Sequence, residues 1–205
     1  AVAARLPYLK HGVILVTQAG DYPVPGLFPH GIEQYRRTLQ RYQFLALQKL
    51  GNSSHSDKVY TYTLRTTDNS SQVYVHSKTM IVDDEFVFMG SCGMEANAFT
   101  SNFEINLGIQ GPSSDPKGPS SFAGKLRRRI WSEFLQLNFN DRRLNNVADG
   151  IEELERQASL ALEHVNTSHI RRYWPVNHVD WVDEYIWPKW EHDGRCKPTA
   201  NQIIV

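Results

Sequence analysis

The sequence predicts an α/β fold in which a mixed β-sheet is flanked by helices. The chain contains both strand-like and helix-like segments, and helices pack on a sheet in this class of fold. Residues 59–65, VYTYTLR, alternate strictly and are rich in β-forming residues, which is typical of a strand. Residues 32–50 lack Gly and Pro and repeat their apolar positions at helical spacing. The 205 residues suffice for one domain with a sizeable core, or for part of a larger one.

Two further segments precede residue 59. Residues 12–18, GVILVTQ, form a short apolar run, which favours a buried strand. Residues 21–31 are predicted to be a loop, because three prolines in this stretch each fix φ and remove a backbone donor. The helix that follows has its apolar residues at Tyr35, Leu39, Tyr42, Leu45, Ala46 and Leu50.

The second half of the chain contains three more strand-like runs and two helical ones. Strands are predicted at about 73–82, 86–89 and 102–110, and helices at about 122–137 and 151–165. The first two of these strands are joined at Asp83-Asp84-Glu85, a polar turn. Residues 171–194 hold four of the five Trp. We interpret this segment as a C-terminal wrap pinned by aromatic residues; the alternative is a rim that contacts lipid or a partner.

The composition limits the possible partners. The 22 basic and 22 acidic residues cancel, so no overall field attracts nucleic acid or an anionic membrane, and any phosphate must be bound locally. No run approaches the roughly 18 apolar residues of a membrane-spanning helix. Cys92 and Cys196 make no disulfide framework. Sequons at Asn52, Asn69 and Asn166 favour a secreted or lumenal glycoprotein, the alternative being a cytoplasmic or peripheral-membrane location.

The stretch VYVHSKTMIVDDEFVFMGS, residues 73–91, places ionisable residues in an otherwise strand-like run. It contains His76, Lys78, Asp83, Gly90 and Ser91, in the pattern H-x-K-x4-D-x6-G-S. In a strand, residues i and i+2 point to the same face, so the imidazole and the ammonium would project together. That pair suits a phosphate group, since the ammonium neutralises charge and the imidazole attacks phosphorus or transfers a proton.

Each of these residues also has an ordinary structural interpretation. A strand histidine is usually a satisfied core or surface residue, a lysine is usually solvated, and an aspartate before a turn is usually a turn former. Two ionisable side chains in mid-strand are nevertheless costly unless a site uses them. We therefore favour the functional interpretation.

With these residues in place, HSKTMIVDDEFVFMGS resembles the HKD motif of the phospholipase D superfamily. SNFEINLGI resembles the strand after the second motif of eukaryotic-type phospholipases D, with Glu104 at the acidic position. GKLRRRIWSEFL resembles their L-R-x-x-L-W-x-E-H helix, and GVILVTQAGDYPVPG and QRYQFLALQKLG resemble the upstream segments. The resemblance covers residues 1 to about 137. It departs at Gly93, where the family usually has an Asn.

The resemblance implies a lobe of a two-lobed phospholipase D fold. We expect residues 1–144 to form a C-terminal catalytic lobe, and residues 145–205 to form a helical, aromatic-rich extension packed on it. It also implies two-step displacement at phosphorus, in which one His becomes a phosphohistidine and the other protonates the leaving group. The chemistry then requires no metal or other cofactor, while the question whether calcium regulates the enzyme stays open.

The family analogy gives each residue of this chain a role. His76 would be the general acid/base and Lys78 would bind the phosphate. Asp83 would fix the turn behind the site, and Glu104 would hold a catalytic imidazole. Ser91 would offer a hydroxyl on the phosphate side. At Gly93, backbone N–H groups would replace the usual Asn.

The motif occurs once, so this chain would supply one histidine of a pair. The other seven histidines do not fit it: His11, His30, His55, His164, His169, His178 and His192. We expect the partner to be an N-terminal HKD half, on a separate chain after cleavage or in a missing domain, because Ala1 resembles an internal start. The alternative is a homodimer that shares two copies of His76.

Three functions compete at this stage. The leading one is a phospholipase D that acts on phosphatidylcholine-like lipids through peripheral membrane contact. The second is an HKD-family nuclease or phosphodiesterase, although the zero net charge speaks against a nucleic acid partner. The third is a non-catalytic partner half.

Overall fold

The computed structural model of the chain describes residues 2–15, 46–47, 49–50, 53–71, 73–93, 103–111, 118–163, 165 and 168–173. Their helices are α1 (Val2–Arg5), α2 (Phe122–Leu135) and α3 (Val147–Leu162). Their strands are β1 (Gly12–Leu15), β2 (Val59–Leu64), β3 (Lys78–Val82), β4 (Phe86–Gly90), β5 (Asn106–Gln110) and β6 (Ile170–Arg172). Short 3₁₀ helices lie at Leu6–Tyr8, Ser56–Lys58, Gly118–Ser120 and Arg142–Leu144. None of the described helices is long and apolar enough to cross a bilayer.

The chain divides into two compact units. The first comprises residues 1–14, 18–60 and 173–205, and the second comprises residues 15–17 and 61–172. In the first unit, Leu6 is buried, and the Lys58 ammonium donates to the carbonyl oxygens of Leu6 and Pro7 at 3.4 and 3.3 Å. This ties the N-terminal turns to the residues just before β2.

The strands form two sheets of three strands each, ordered β1-β2-β6 and β3-β4-β5. In the first sheet, β2 and β6 run antiparallel, with Leu64 opposite Ile170. In the second sheet both pairings are antiparallel, with Val87 of β4 between Ile81 and Ile109. Val87 is fully buried, so this face of the second sheet contributes to the core. The predicted α/β class is confirmed.

The helix α2 begins where Ser121 caps it and buries one stripe of its surface. The Ser121 hydroxyl accepts from the Gly124 N–H at 2.8 Å, which satisfies one of the free donors of the first turn. The buried side chains of Ala123, Arg127, Trp131 and Leu135 recur every four residues, which places them on one face. The helix ends at Gln136, in the left-handed conformation with φ of 55°.

The helix α3 packs on β6 and on α2. Asn146 caps it, accepting from the Ala148 N–H at 2.9 Å. The Tyr62 hydroxyl of β2 donates to Glu155 at 2.6 Å, and Arg172 of β6 forms an ion pair with the same carboxylate. One glutamate of α3 therefore holds two neighbouring strands.

Several predicted boundaries were wrong. The strand predicted over 73–82 begins only at Lys78, because residues 73–77 have no regular structure. The strand predicted from 102 begins at 106, and 103–105 are irregular. The helix predicted from 151 begins at Val147, since Asn146 provides a cap earlier. The strand β6 was not predicted at all.

Other predicted elements lie wholly or partly outside the described residues. The described residues of the 32–50 helix are 46, 47, 49 and 50, and all four are helical. The loop over 21–31 and the Trp-rich tail from residue 174 on lie outside the described part, as do residues 16–18 of the first strand.

Candidate functional site

One end of the sheet β3-β4-β5 gathers most of the candidate residues. Lys78 opens β3, and it lies opposite Gly90, the last residue of β4. Gly90 in turn lies opposite Asn106, the first residue of β5. The three strands therefore end in one row. His76 lies two residues before this row, Ser91 one residue after it, and Glu104 two residues before β5.

Ser91 fastens β4 to β5 at this end. Its backbone N–H donates to the Ile105 carbonyl at 3.0 Å, and its hydroxyl accepts from the Ile105 N–H at 3.0 Å. Just beyond, the Cys92 N–H donates to the Asn106 side chain at 3.3 Å. Because the Ser91 hydroxyl acts as an acceptor in its contact, its own hydrogen is left to donate to another group.

Gly90 is required by this close approach. A Cβ atom at this position would overlap the carbonyl oxygen of Ile105 and the side-chain oxygen of Asn106. The first atom is backbone of the residue just before β5, and the second belongs to the first residue of β5. The Gly of the G-S pair is therefore explained by strand packing at the site end of the sheet.

The Lys78 side chain contacts His76, although not in the predicted way. The prediction placed both on one strand face, but His76 precedes β3, so the alternation rule does not apply to it. The Lys78 ammonium instead donates to the His76 backbone carbonyl at 2.8 Å. The His76 ring stacks on the Tyr74 ring, with centroids 5.7 Å apart and 21° between the planes.

Both side chains are accessible to solvent. His76 is exposed and Lys78 is half-buried. The expected cost of holding two ionisable groups in mid-strand does not arise, because His76 lies outside the strand and is exposed. The ammonium has three N–H donors and uses one on the His76 carbonyl, so it retains capacity to bind an anion.

Glu104 and Gly93 complete the group of predicted residues at this end. Glu104 is half-buried, and within the described residues no hydrogen bond or ion pair joins it to His76. Gly93 is half-buried too, and its carbonyl accepts from the Cys92 thiol at 3.5 Å. Their roles stay predictions.

Asp83 lies at the opposite end of the sheet. It directly follows β3, five residues beyond Lys78, which is roughly 16 Å along a strand. Its side chain is exposed, and its backbone has φ of 54° in the turn between β3 and β4. The structure thus separates this carboxylate from His76 and Lys78.

Asp84, which the sequence reasoning did not single out, anchors that turn. Its carboxylate accepts from Arg127 Nε at 2.8 Å and from Arg127 Nη2 at 2.9 Å, a bidentate pair in which both side chains are buried. Arg127 Nη1 donates to the Leu144 carbonyl at 3.0 Å. The Ser121 hydroxyl donates to the Asp84 carbonyl oxygen. The turn is thereby fixed to α2 and to the segment before α3.

A sequence signal for this pair was available. Arg127 falls on the stripe that α2 buries, four residues from Ala123 and four from Trp131. A charged residue on a buried helical face requires a partner of opposite charge. The sequence does not say which acidic residue this is, and the structure shows that it is Asp84 and not Asp83.

The arrangement at the site end can hold a negatively charged group and move a proton. It offers the ammonium of Lys78, the accessible imidazole of His76 and the hydroxyl of Ser91, all at or next to strand ends that the sheet holds together. Within the described residues, no cluster of three or more His, Cys, Asp or Glu side chains could hold a metal ion.

Comparison with known proteins gives consistent matches. A family model described as "Cardiolipin synthase, PLD-like domain" matches residues 32–132. Phospholipase D zeta 2 of Arabidopsis thaliana is 26% identical over 162 residues, which cover 63% of this chain and 15% of that protein. Phospholipase D zeta 1 of the same plant is 27% identical over 119 residues, 54% of this chain and 10% of that protein.

Bacterial proteins match a shorter segment of the chain. A cardiolipin synthase of Staphylococcus aureus is 32% identical over 75 residues, 31% of this chain and 15% of that protein. No solved structure gives a significant match. The matched segments thus amount to 15% or less of the curated relatives named here.

Proposed function

Since the chain belongs to the phospholipase D superfamily, we propose that it supplies one half of the active site of a phospholipase D. The enzyme hydrolyses phosphatidylcholine-like phosphodiesters, or exchanges their head groups, through a phosphohistidine intermediate. The observation that supports this is the juxtaposition of His76, Lys78 and Ser91 at one sheet end. The superfamily match supports phosphodiester chemistry in general; the lipid substrate is the more specific proposal.

Two observations favour a phospholipid over a nucleic acid. The names of both relatives refer to phospholipids, since the plant protein is a phospholipase and the bacterial one is a cardiolipin synthase. The chain itself has zero net charge, which gives no long-range attraction for a polyanion. A single phosphodiester needs only local positive charge, and Lys78 provides it.

The proposed roles follow from the accessible groups. Lys78 binds the phosphate and Ser91 donates its hydroxyl hydrogen to a phosphate oxygen. His76 protonates the leaving alcohol and then takes a proton from water or from an acceptor alcohol. A histidine of the partner half attacks phosphorus, and Glu104 orients an imidazole. Lys78 and the lysine of the partner half's own H-x-K-x4-D motif supply the positive charge, so the reaction uses no metal.

The first test concerns what completes the site. The intact mass of the native assembly, with peptide identification of each chain, distinguishes the alternatives. We expect a second H-x-K-x4-D motif, either on another polypeptide or in a longer chain that contains this one. A pure dimer of the 23.5 kDa chain would instead favour two copies of His76 in one site and a nuclease-like phosphodiesterase.

The second test concerns His76 in that assembly. His76→Asn should lower choline release from phosphatidylcholine vesicles by about 10²–10⁴-fold, the usual contribution of a general acid/base. Ser77→Ala is the matched control, because the Ser77 hydroxyl contacts Thr79, at 2.6 Å, and has no proposed role. Unchanged activity of the His76 variant would indicate a non-catalytic half. Cleavage of DNA instead of lipid would favour the nuclease.

A further inference from the structure

The tight turn that follows β2 contains a sequon, Asn69-Ser70-Ser71. The turn closes through backbone bonds between Thr66 and Ser71 and between Asn69 and Thr66, at 2.9 and 2.8 Å. Beyond the turn the chain returns beside β2, since the Val73 N–H donates to the Leu64 carbonyl at 3.0 Å. The sequon therefore sits at the exposed tip of a hairpin-like loop.

Part of this turn has a clear structural function. The Asp68 carboxylate accepts from the Thr66 hydroxyl at 2.5 Å and from the Ser70 N–H and hydroxyl at 3.1 and 2.9 Å. These contacts hold the pKa of Asp68 at about 2, with the Thr66 hydroxyl as the largest cause. Asp68, Thr66 and Ser70 are thus explained by the fold of the loop.

Asn69 is only partly explained in this way. Its backbone has φ of 60°, a conformation that Asn tolerates better than most residues. Its side-chain oxygen accepts from Arg171 Nε at 3.2 Å. Within the described part of the chain, its side-chain nitrogen has no hydrogen-bond partner, and the residue is exposed.

The loop accounts for the backbone of Ser71 but not for its hydroxyl. Its backbone N–H and carbonyl both contact Thr66, at 3.0 Å from the N–H to the Thr66 hydroxyl. Its own hydroxyl has no hydrogen-bond partner among the described residues, and the side chain is exposed. A hydroxyl at this place, two residues after an exposed Asn, is what the transfer of an N-linked glycan requires.

We propose that Asn69 carries an N-linked glycan. The donor is an oligosaccharide on a polyprenyl pyrophosphate carrier. The bond between the sugar C1 and the pyrophosphate oxygen breaks, a bond from C1 to Asn69 Nδ2 forms, and the amide gives up one proton. The carrier pyrophosphate leaves with the electron pair.

The geometry of Asn69 accommodates this product. The substituted nitrogen is the one without a partner, and the oxygen that accepts from Arg171 keeps both its carbonyl character and its contact. The turn is exposed from residue 67 to residue 71, so the sugar extends into solvent. The proposal implies that the chain passes through a secretory compartment. It is independent of the chemistry proposed for His76.

Trypsin isolates this sequon from the other two. Cleavage after Arg65 and after Lys78 releases residues 66–78, which contain Asn69 as their single sequon. The native protein, purified from its source, is treated with peptide N-glycosidase in ¹⁸O-labelled water and then digested. We expect the peptide 66–78 to contain ¹⁸O-labelled aspartate at position 69. Unmodified asparagine at this position overturns the proposal, whether or not the other two sequons are occupied.

Variants secreted from a eukaryotic host test the role of the Ser71 hydroxyl. Ser71→Ala should abolish the label at position 69, whereas Ser71→Thr should keep it. Ser70→Ala is the matched control, because it removes a hydroxyl next to Asn69 but leaves the sequon intact. Equal labelling in the Ser71→Ala and Ser70→Ala proteins would contradict the assignment. Occupancy is measured only on secreted protein. If the Ser71→Ala protein is not secreted, the test rests on Ser71→Thr, which must remain labelled.

Discussion

Replacing Arg127 with alanine should destabilise the second unit far more than an equivalent change on the exposed side of the same helix. The Arg127 and Asp84 side chains are only 7% and 8% exposed, and two hydrogen bonds of 2.8 and 2.9 Å join them. Removing the guanidinium leaves a buried carboxylate without a counter-charge. Breaking a buried pair in this way typically costs about 3–5 kcal/mol.

Two further contacts are lost with the same side chain. The Leu144 carbonyl loses its donor at 3.0 Å, and the Trp131 ring loses the cation 4.9 Å above its centre. These losses are not additive with the first, because water and the remaining groups partly compensate. We therefore expect a loss of about 4 kcal/mol in the free energy of unfolding, a large share of the roughly 5–15 kcal/mol of a typical domain.

The assay is denaturant unfolding followed by far-ultraviolet circular dichroism. Arg129→Ala is the control, since Arg129 pairs with Glu133 on the exposed face, where the two side chains are 65% and 63% exposed. It should cost no more than about 0.5 kcal/mol. The double variant Asp84→Asn/Arg127→Met should recover part of the loss, because it removes both buried charges. Equal losses for Arg127→Ala and Arg129→Ala would refute this account of the turn.

Three further outcomes are expected. Burial raises the pKa of Glu153, but hydrogen bonds from Arg156 and Gln157 outweigh this effect and hold the pKa below its ordinary 4.5. Glu153 therefore stabilises the fold above pH 4.5 and loses its contribution as the pH falls through its lowered pKa. Glu153→Gln should flatten the acid limb of a pH-dependent unfolding curve. Gly150→Ala should destabilise by about 1–3 kcal/mol in thermal unfolding, because the new methyl would lie 2.5 Å from the Trp131 ring, which outweighs the gain in helix propensity. Gly90→Ala should force β5 away from β4, and amide exchange should rise at the start of β5 while a distant strand such as β2 is unaffected.

The sequence predicted those secondary-structure elements whose formation depends on local sequence patterns. β2 and β4 were placed to within a residue, since alternation and β-forming residues suffice for them. The start of β3 was misplaced, because residues 73–77 have the composition of a strand yet no regular structure. β6 was missed because its three residues pair with β2 across more than a hundred positions of sequence, which no local pattern reveals.

In the candidate site too, local sequence patterns predict some features, and contacts between distant residues decide others. The motif spacing brought out His76, Lys78 and Ser91, and these do meet at one end of a sheet. The choice between Asp83 and Asp84 depended on which carboxylate faces Arg127, a residue more than forty positions away. Adjacent residues in a turn point in different directions, and only the packing of α2 decides between them.

On the proposed mechanism, one sheet end can make only part of a reaction centre. A phosphohistidine route needs one imidazole to attack and another to protonate the leaving group. In the described part of the second unit, the histidine other than His76 is His169, and its Nδ1 lies 2.8 Å from the Arg65 carbonyl, beside the other sheet. That contact commits the ring to holding the chain next to β6. On the proposed mechanism, the second imidazole is therefore not His169, the other histidine described in this unit. The exposed position of His76 and the half-buried one of Lys78 are then what the mechanism requires: groups that become enclosed only when the other half of the site is in place.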